Sequence, residues 1–268
     1  MKPADYLATH AVFRLEDFAS WYERDGRHQR GSTLAVLKQH VSAGNLLRVR
    51  RGIYAWVPRG VPPDRVVVDA YVLTTHLAPD AVVAYHAALQ YHGKAHSVSR
   101  RYPFLTRTYV KPLAFRGNEF VPVQVAPALR SLPQWGGGIV ENVRDGAPVR
   151  VTTLERTLVD VLDAPRHGGG WEEVWRSLES VEFFDLDAIT DYVLALDSAV
   201  AVAKVGFYLE QHREQLMVED RHLERLRSHA PAQPVNLERG KRESGRLQVG
   251  WNLVVPERVL KRTWADVA

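Results

Sequence analysis

Apolar residues fall at Leu15, Phe18, Ala19 and Tyr22, and again at Leu34, Leu37 and Val41, spacings that follow the 3.6-residue helical period. They predict a helix over 15–24, broken at Asp25-Gly26, and another over 31–43, stopped at Gly44. A short helix over 3–10 and an extended VFRL precede them. After Gly44 the period drops to two: LRV and IYAW alternate around Arg50-Arg51-Gly52, the signature of a β-hairpin. Helix, strand, helix, turn, helix and hairpin is the order of a winged helix-turn-helix. With Leu34, Leu37 and Val41 inward, ~100° per residue turns Ser32, Val36, Gln39 and Ala43 outward, with Thr33 and His40 on the flank.

PRGVPPD (58–64) reads as a boundary, dividing the chain into a DNA-binding domain over 1–60 and a larger domain over 65–268. Beyond it, DRVVVDAYVLTTHL and AVVAYHAALQYHG are read as helices, YPFLTRTYVK and EFVPVQVAP as strands, and IVENV/PVRVT as a hairpin through Asp145-Gly146. VTTLERTLVDVLDAP is read as a helix opened by a capping box, with Thr152 as N-cap and Glu155 three residues on. WEEVWRSLES, LDAITDYVLAL, AVAKVGFYLEQHREQL and DRHLERLRSH continue as helices, and GRLQVGWNLVVP is extended. The fold class expected is α+β: an N-terminal winged helix-turn-helix, then a mixed α+β domain with a helical C-terminal half.

Composition adds exclusions. No apolar run approaches the ~18–20 residues of a membrane span, and the N-terminus has no apolar signal core, so a cytoplasmic protein with no membrane partner is expected. Zero cysteines exclude disulfides and thiolate metal sites. The net charge of +4 hides an asymmetry. Residues 24–60 hold eight bases against Asp25 alone, residues 94–118 six bases and no acid, and residues 171–200 eight acids against Arg176. A basic front suggests a polyanionic partner.

The small and uncharged polar side chains on the outer face of the third helix suit the major groove, where Gln, Ser and Thr pair with base edges. Arg27 and Arg30 flank its start, Lys38 lies along it, and Arg48, Arg50 and Arg51 crowd the hairpin turn, where like charges repel unless phosphates separate them. The DNA-binding set is therefore Arg27, Arg30, Ser32, Thr33, Lys38, Gln39, Arg48, Arg50 and Arg51. Residues 94–116 interleave Tyr102, Phe104, Tyr109 and Phe115 with bases and read equally as a nucleic-acid surface or a half-buried sheet. His86, His92 and His96 form no zinc pattern, since Gly93 interrupts them and no carboxylate joins them. Glu155, Asp160 and Asp163 could serve a nuclease holding Mg²⁺, but Glu155 is claimed by the cap and the two aspartates suit a polar helix face. No catalytic residue, metal or cofactor is expected.

The pieces GNLLRVRRGIYAW, YHAALQYHG, VTTLERTLVDVLDAPRHGGGWEEV, AVAKVGFYLE and GRLQVGWNLVVP, in this order, resemble the AbiEi-type antitoxin and transcriptional regulator family of abortive-infection and toxin–antitoxin operons. The third piece resembles that family's Thr-x-Glu-Arg-Thr-Leu-x-Asp block. The resemblance implies a protein that represses its own operon through an N-terminal DNA-binding domain and whose C-terminal domain neutralises a nucleotidyltransferase-like toxin encoded next door. Winged-helix repressors commonly meet repeated half-sites on double-stranded DNA. The alternatives are a free-standing winged-helix regulator responding to a small ligand, and a winged-helix-tethered nuclease.

Overall fold

The computed structural model describes residues 3–24, 29–238 and 245–264. It is an α+β structure. The N-terminal part runs α1 (Pro3–Thr9), β1 (Val12–Arg14), α2 (Leu15–Tyr22), α3 (Arg30–Ser42), β2 (Leu46–Arg50) and β3 (Ile53–Trp56). The three strands form an antiparallel sheet in the order β1-β3-β2. Gly52, at φ +81°, takes the left-handed conformation that the tight β2–β3 turn requires and that a side chain would resist.

The larger body follows with α4 (Ala70–His76), β4 (Val82–Val83), α5 (His86–Tyr91), β5 (Arg101–Thr106), β6 (Leu113–Phe115), β7 (Asn118–Gln124), β8 (Ile139–Arg144) and β9 (Ala147–Thr152). These six strands make one mixed sheet in the order β6-β7-β5-β4-β9-β8. The helices α6 (Leu154–Asp163), α7 (Trp171–Glu179), α8 (Leu186–Ala195), α9 (Ala199–Gln211) and α10 (Asp220–Arg227) then gather beside it. A small sheet, β10 (Val235–Asn236), β11 (Gly245–Gln248) and β12 (Leu253–Pro256), and a last turn of helix, α11 (Glu257–Leu260), close the described chain.

Two readings of the body are corrected. AVVA, expected to open a helix, holds instead a fully buried strand: Val82 and Val83 pair with β5, and Val83 also with β9. A short apolar run fits a buried helix or strand alike, and sheet neighbours from distant sequence decided it. The cap of α6 is Thr153, not Thr152; its hydroxyl accepts from the Arg156 N–H at 3.4 Å, and Glu155 accepts instead from the Asp185 N–H at 3.4 Å. The Thr152 hydroxyl bonds the Thr157 hydroxyl at 2.7 Å inside the core.

The N-terminal sheet is covered on both faces. Its strands alternate, so that Phe13, Leu46 and Tyr54 join Tyr6, Leu7, Phe18 and Leu37 in one core. Val12, Val49, Ile53 and Ala55 face the other way, into a core shared with α4 and with Val149 and Val151 of β9. This shared core joins residues on either side of the Pro-rich segment at 58–64. The main core lies around α6 to α10, where Gly206 lets the Trp251 ring lie against α9; a Cβ there would stand 2.1 Å from the ring. Trp251 is pinned by its indole N–H to Glu210 at 2.8 Å, so it cannot yield. Among the described residues no helix is long and apolar enough to cross a membrane. Gly206→Ala is expected to destabilise the chain by roughly 1–3 kcal/mol through overpacking, measured as a lower urea midpoint with an unchanged slope.

Candidate nucleic-acid interface

Helix α3 has one buried side and one bare one. Leu37 is buried at 1% exposure and Thr33 at 0%, with Val36 and Val41 partly covered, whereas Leu34 is 45% exposed. The inward stripe is thus rotated from the expected Leu34-Leu37-Val41 line toward Thr33 and Leu37. The reason is a polar anchor: the Thr33 hydroxyl donates to the Glu23 carboxylate at 2.5 Å and the Gln29 carbonyl at 3.3 Å, fastening the start of α3 to the end of α2. Thr33 therefore does not face a ligand, which corrects its place among the base-reading residues. Ser32, Lys38 and Gln39 do lie on the exposed side, beside Gly31, Ala35 and Ser42. Arg30 is exposed and within 3.9 Å of Glu16. Arg27 lies outside the described residues.

The hairpin divides its three arginines. Arg48 pairs in register with Tyr54 and, by strand alternation, shares the sheet face that carries Leu46 and Tyr54, the face on which α3 packs. It is exposed, as is Arg51 at the turn. Among the described residues neither they nor Lys38 has a carboxylate within ion-pair distance. Arg50 is different. A bulge between Arg48 and Arg50 turns its guanidinium toward the body, where it donates to the Leu77 carbonyl. Its proton affinity is lowered by desolvation and then by the neighbouring Arg14. Its expected place on DNA is corrected: the charge is spent inside the protein.

Arg14, which the sequence pattern passed over, completes this arrangement. It donates to the carbonyls of His76 at 2.8 Å and Thr75 at 3.0 Å, and to that of Ala78. The carbonyls at the C-terminal end of α4 have no continuing helix to satisfy them, and two arginines from the N-terminal sheet supply the missing donors. An arginine closing a three-residue strand was the available signal, but nothing nearby in sequence named its target.

The other candidate groups are dispersed. His86 Nε2 meets Glu173 at 3.0 Å, His92 Nε2 meets the Thr152 carbonyl at 2.8 Å, and the His96 backbone N–H donates to Ser177. No group of three or more His, Asp or Glu among the described residues is placed to hold a metal. Asp160 does not lie on a polar face: it is buried, accepts from the Tyr192 hydroxyl at 2.8 Å and stands 3.5 Å from Arg156. Burial pushes its carboxyl up to about 6 against the pull of Arg156. Arg156 is itself buried and donates to the carbonyls of Trp135 at 3.2 Å and Gly137 at 2.6 Å. In the second basic stretch, Lys94, Arg101, Arg107 and Arg116 all bind groups of the body, through Ser180, Glu119, Asp80 and the carbonyls of 63–66 respectively.

Comparison with family models and with curated proteins finds no match. Among solved structures, the crystal structure of the RV2827C protein from Mycobacterium tuberculosis is similar, with a TM-score of 0.55 and 16% identity, covering 96% of this chain and 90% of that one. At that identity the likeness concerns the fold alone. Arg14→Ala should leave carbonyls at the end of α4 without donors and lower stability by roughly 1.5–3 kcal/mol. Arg51→Ala should stay within about 0.5 kcal/mol; equal losses in urea unfolding would contradict this division of labour.

Proposed function

We propose that the first sixty residues form a winged helix-turn-helix that binds double-stranded DNA, and that the chain is a cytoplasmic, non-enzymatic antitoxin repressing its own operon. One observation carries the DNA reading. Ser32, Lys38 and Gln39 stand on the bare side of α3, Arg48 stands on the sheet face that packs against this helix, and Arg51 marks the adjacent turn. In this reading Gln39 and Ser32 meet base edges in the major groove. Lys38, Arg48 and Arg51 grip phosphates, and the first N–H groups of α3 add to that grip beside Arg30. The repulsion between Arg48 and Arg51 is relieved by the ligand, while that of Arg50 is relieved by the end of α4.

The antitoxin role rests on the resemblance to the AbiEi-type family and assigns neutralisation of a nucleotidyltransferase-like toxin to residues after Pro62. A second reading, a regulator responding to a small ligand, has in its favour two recesses in the body of about 540 and 340 Å³. Co-expression with the adjacent reading frame separates the two. Rescue of growth from a toxic neighbour supports the antitoxin, and its absence together with ligand-dependent operator binding supports the rival.

Binding to its own promoter should weaken with salt, with log K falling at a slope near −5 against log[salt] if about six phosphates are neutralised. Arg48→Ala and Arg51→Ala should each flatten that slope by roughly one unit, whereas Arg50→Ala should lower stability and leave the slope alone. Filter binding across a salt series reads all three; an unchanged slope in the Arg48/Arg51 double variant removes the hairpin from the interface.

A further inference from the structure

The body carries a second gathering of cations, independent of α3. A recess of about 340 Å³ opens between the segment entering β5 and the turn before α7, lined by Arg100, Arg101 and Arg166 together with His86, His167 and Glu173. The carboxylate of this group is already occupied. Glu173 accepts from His86 Nε2 at 3.0 Å, from the Ser97 N–H at 2.9 Å and from the Ser97 hydroxyl at 2.7 Å. Desolvation pushes this carboxyl up, but the hydrogen bonds from Ser97 and His86 outweigh it and hold it below its ordinary range. It is ionised and turned to its own partners, so three guanidinium groups stand against one carboxylate around the opening, an excess of two. Arg101 has Glu119 at 3.5 Å, an exposed pair worth little in water.

The two histidines carry unfinished hydrogen bonding. Arg166 Nε donates to His167 Nε2 at 3.2 Å, which places the ring proton of the neutral imidazole on Nδ1. Desolvation, then Arg166 and Arg101, push the His167 pKa down to about 4, so the neutral ring is the form present near neutrality. His167 Nδ1 and His86 Nδ1 are both buried and have no hydrogen-bond partner among the described residues. Such buried polar atoms are uncommon and call for an explanation. The residue before His86 adds a sign of constraint: Tyr85, at φ 56° and ψ −133°, holds a conformation that side chains resist, and its ring lies 5.1 Å from that of His167.

Excess guanidinium groups and an unsatisfied imidazole donor require a ligand that only accepts and carries more than one negative charge. A phosphate group does both, and its oxygens match the fork of arginine. The volume lies at the small end of ligand sites, enough for a phosphate and a modest organic group. We propose that this recess binds a small-molecule phosphate monoester, its dianion held by Arg100, Arg101 and Arg166 and a remaining hydrogen bond completed by the Nδ1–H of His167.

Calorimetry on the full chain at constant ionic strength, with adenosine monophosphate and inorganic phosphate as probes and acetate as control, tests this. One-to-one binding is expected, tighter for the nucleotide than for inorganic phosphate and absent for acetate. Arg100→Gln and Arg166→Gln, both at exposed positions, should each weaken it about tenfold or more while promoter affinity is unchanged. The proposal fails if no saturable binding occurs, if acetate competes equally, or if both variants bind as the parent does. Tighter binding of a 5′-phosphorylated single-stranded oligonucleotide, lost in the same variants, would overturn the small-molecule assignment in favour of a nucleic-acid terminus.

Discussion

Two guanidinium groups from the N-terminal sheet close the open end of a helix in the body, and the placement of the candidate DNA-binding surface depends on that contact. Arg14 and Arg50 donate to the carbonyls of residues 75–78, at the C-terminal end of α4 and just beyond it. Apolar packing of Val12, Val49, Ile53 and Ala55 against the body would tolerate sliding, because burial has no direction. Hydrogen bonds to successive carbonyls do not, so the sheet is held in one orientation and α3 is presented outward from it. The N-terminal part is built as an extension of the body, with a core running through both.

The same contact sorts the charges. A run of bases in sequence looks like one surface, but the structure spends some of them internally. Arg14, Arg50, Arg107 and Arg116 satisfy carbonyls and carboxylates of the body, whereas Lys38, Arg48 and Arg51 remain uncommitted on the exposed side. The acidic rear is likewise engaged: Asp187 and Asp191 meet Arg221 and Arg225 of α10, and Glu179 meets Arg262. Among the cations left for a polyanion are a few side chains around α3 and, separately, the arginines of the recess near α7.

The Thr-Leu-Glu-Arg-Thr-Leu-Val-Asp block at residues 153–160 is structural glue. Thr153 caps α6, Thr157 ties Thr152 into the core, and Arg156 with Asp160 and Tyr192 forms a buried charged cluster that also grips the loop at Trp135 and Gly137. Removing one partner of such a cluster leaves a charge without compensation in a dry interior, which is the physical reason for all three groups to occur together.

Periodicity along the chain was enough to determine the element order of the first sixty residues, most helices of the C-terminal half and the hairpin through Asp145-Gly146, because each rests on neighbours within a few residues. It also turned Ser32 and Gln39 outward on α3, where both are exposed. What only the tertiary structure decided depends on partners far away in sequence: that AVVA is a central strand, that Thr33 rather than Leu34 turns inward, that Asp160 is buried, and that Arg50 caps a helix with Arg14. Three arginines within four residues look alike in sequence. A bulge and an open helix end some twenty-five residues further on made one of them part of the scaffold and left the others facing solvent.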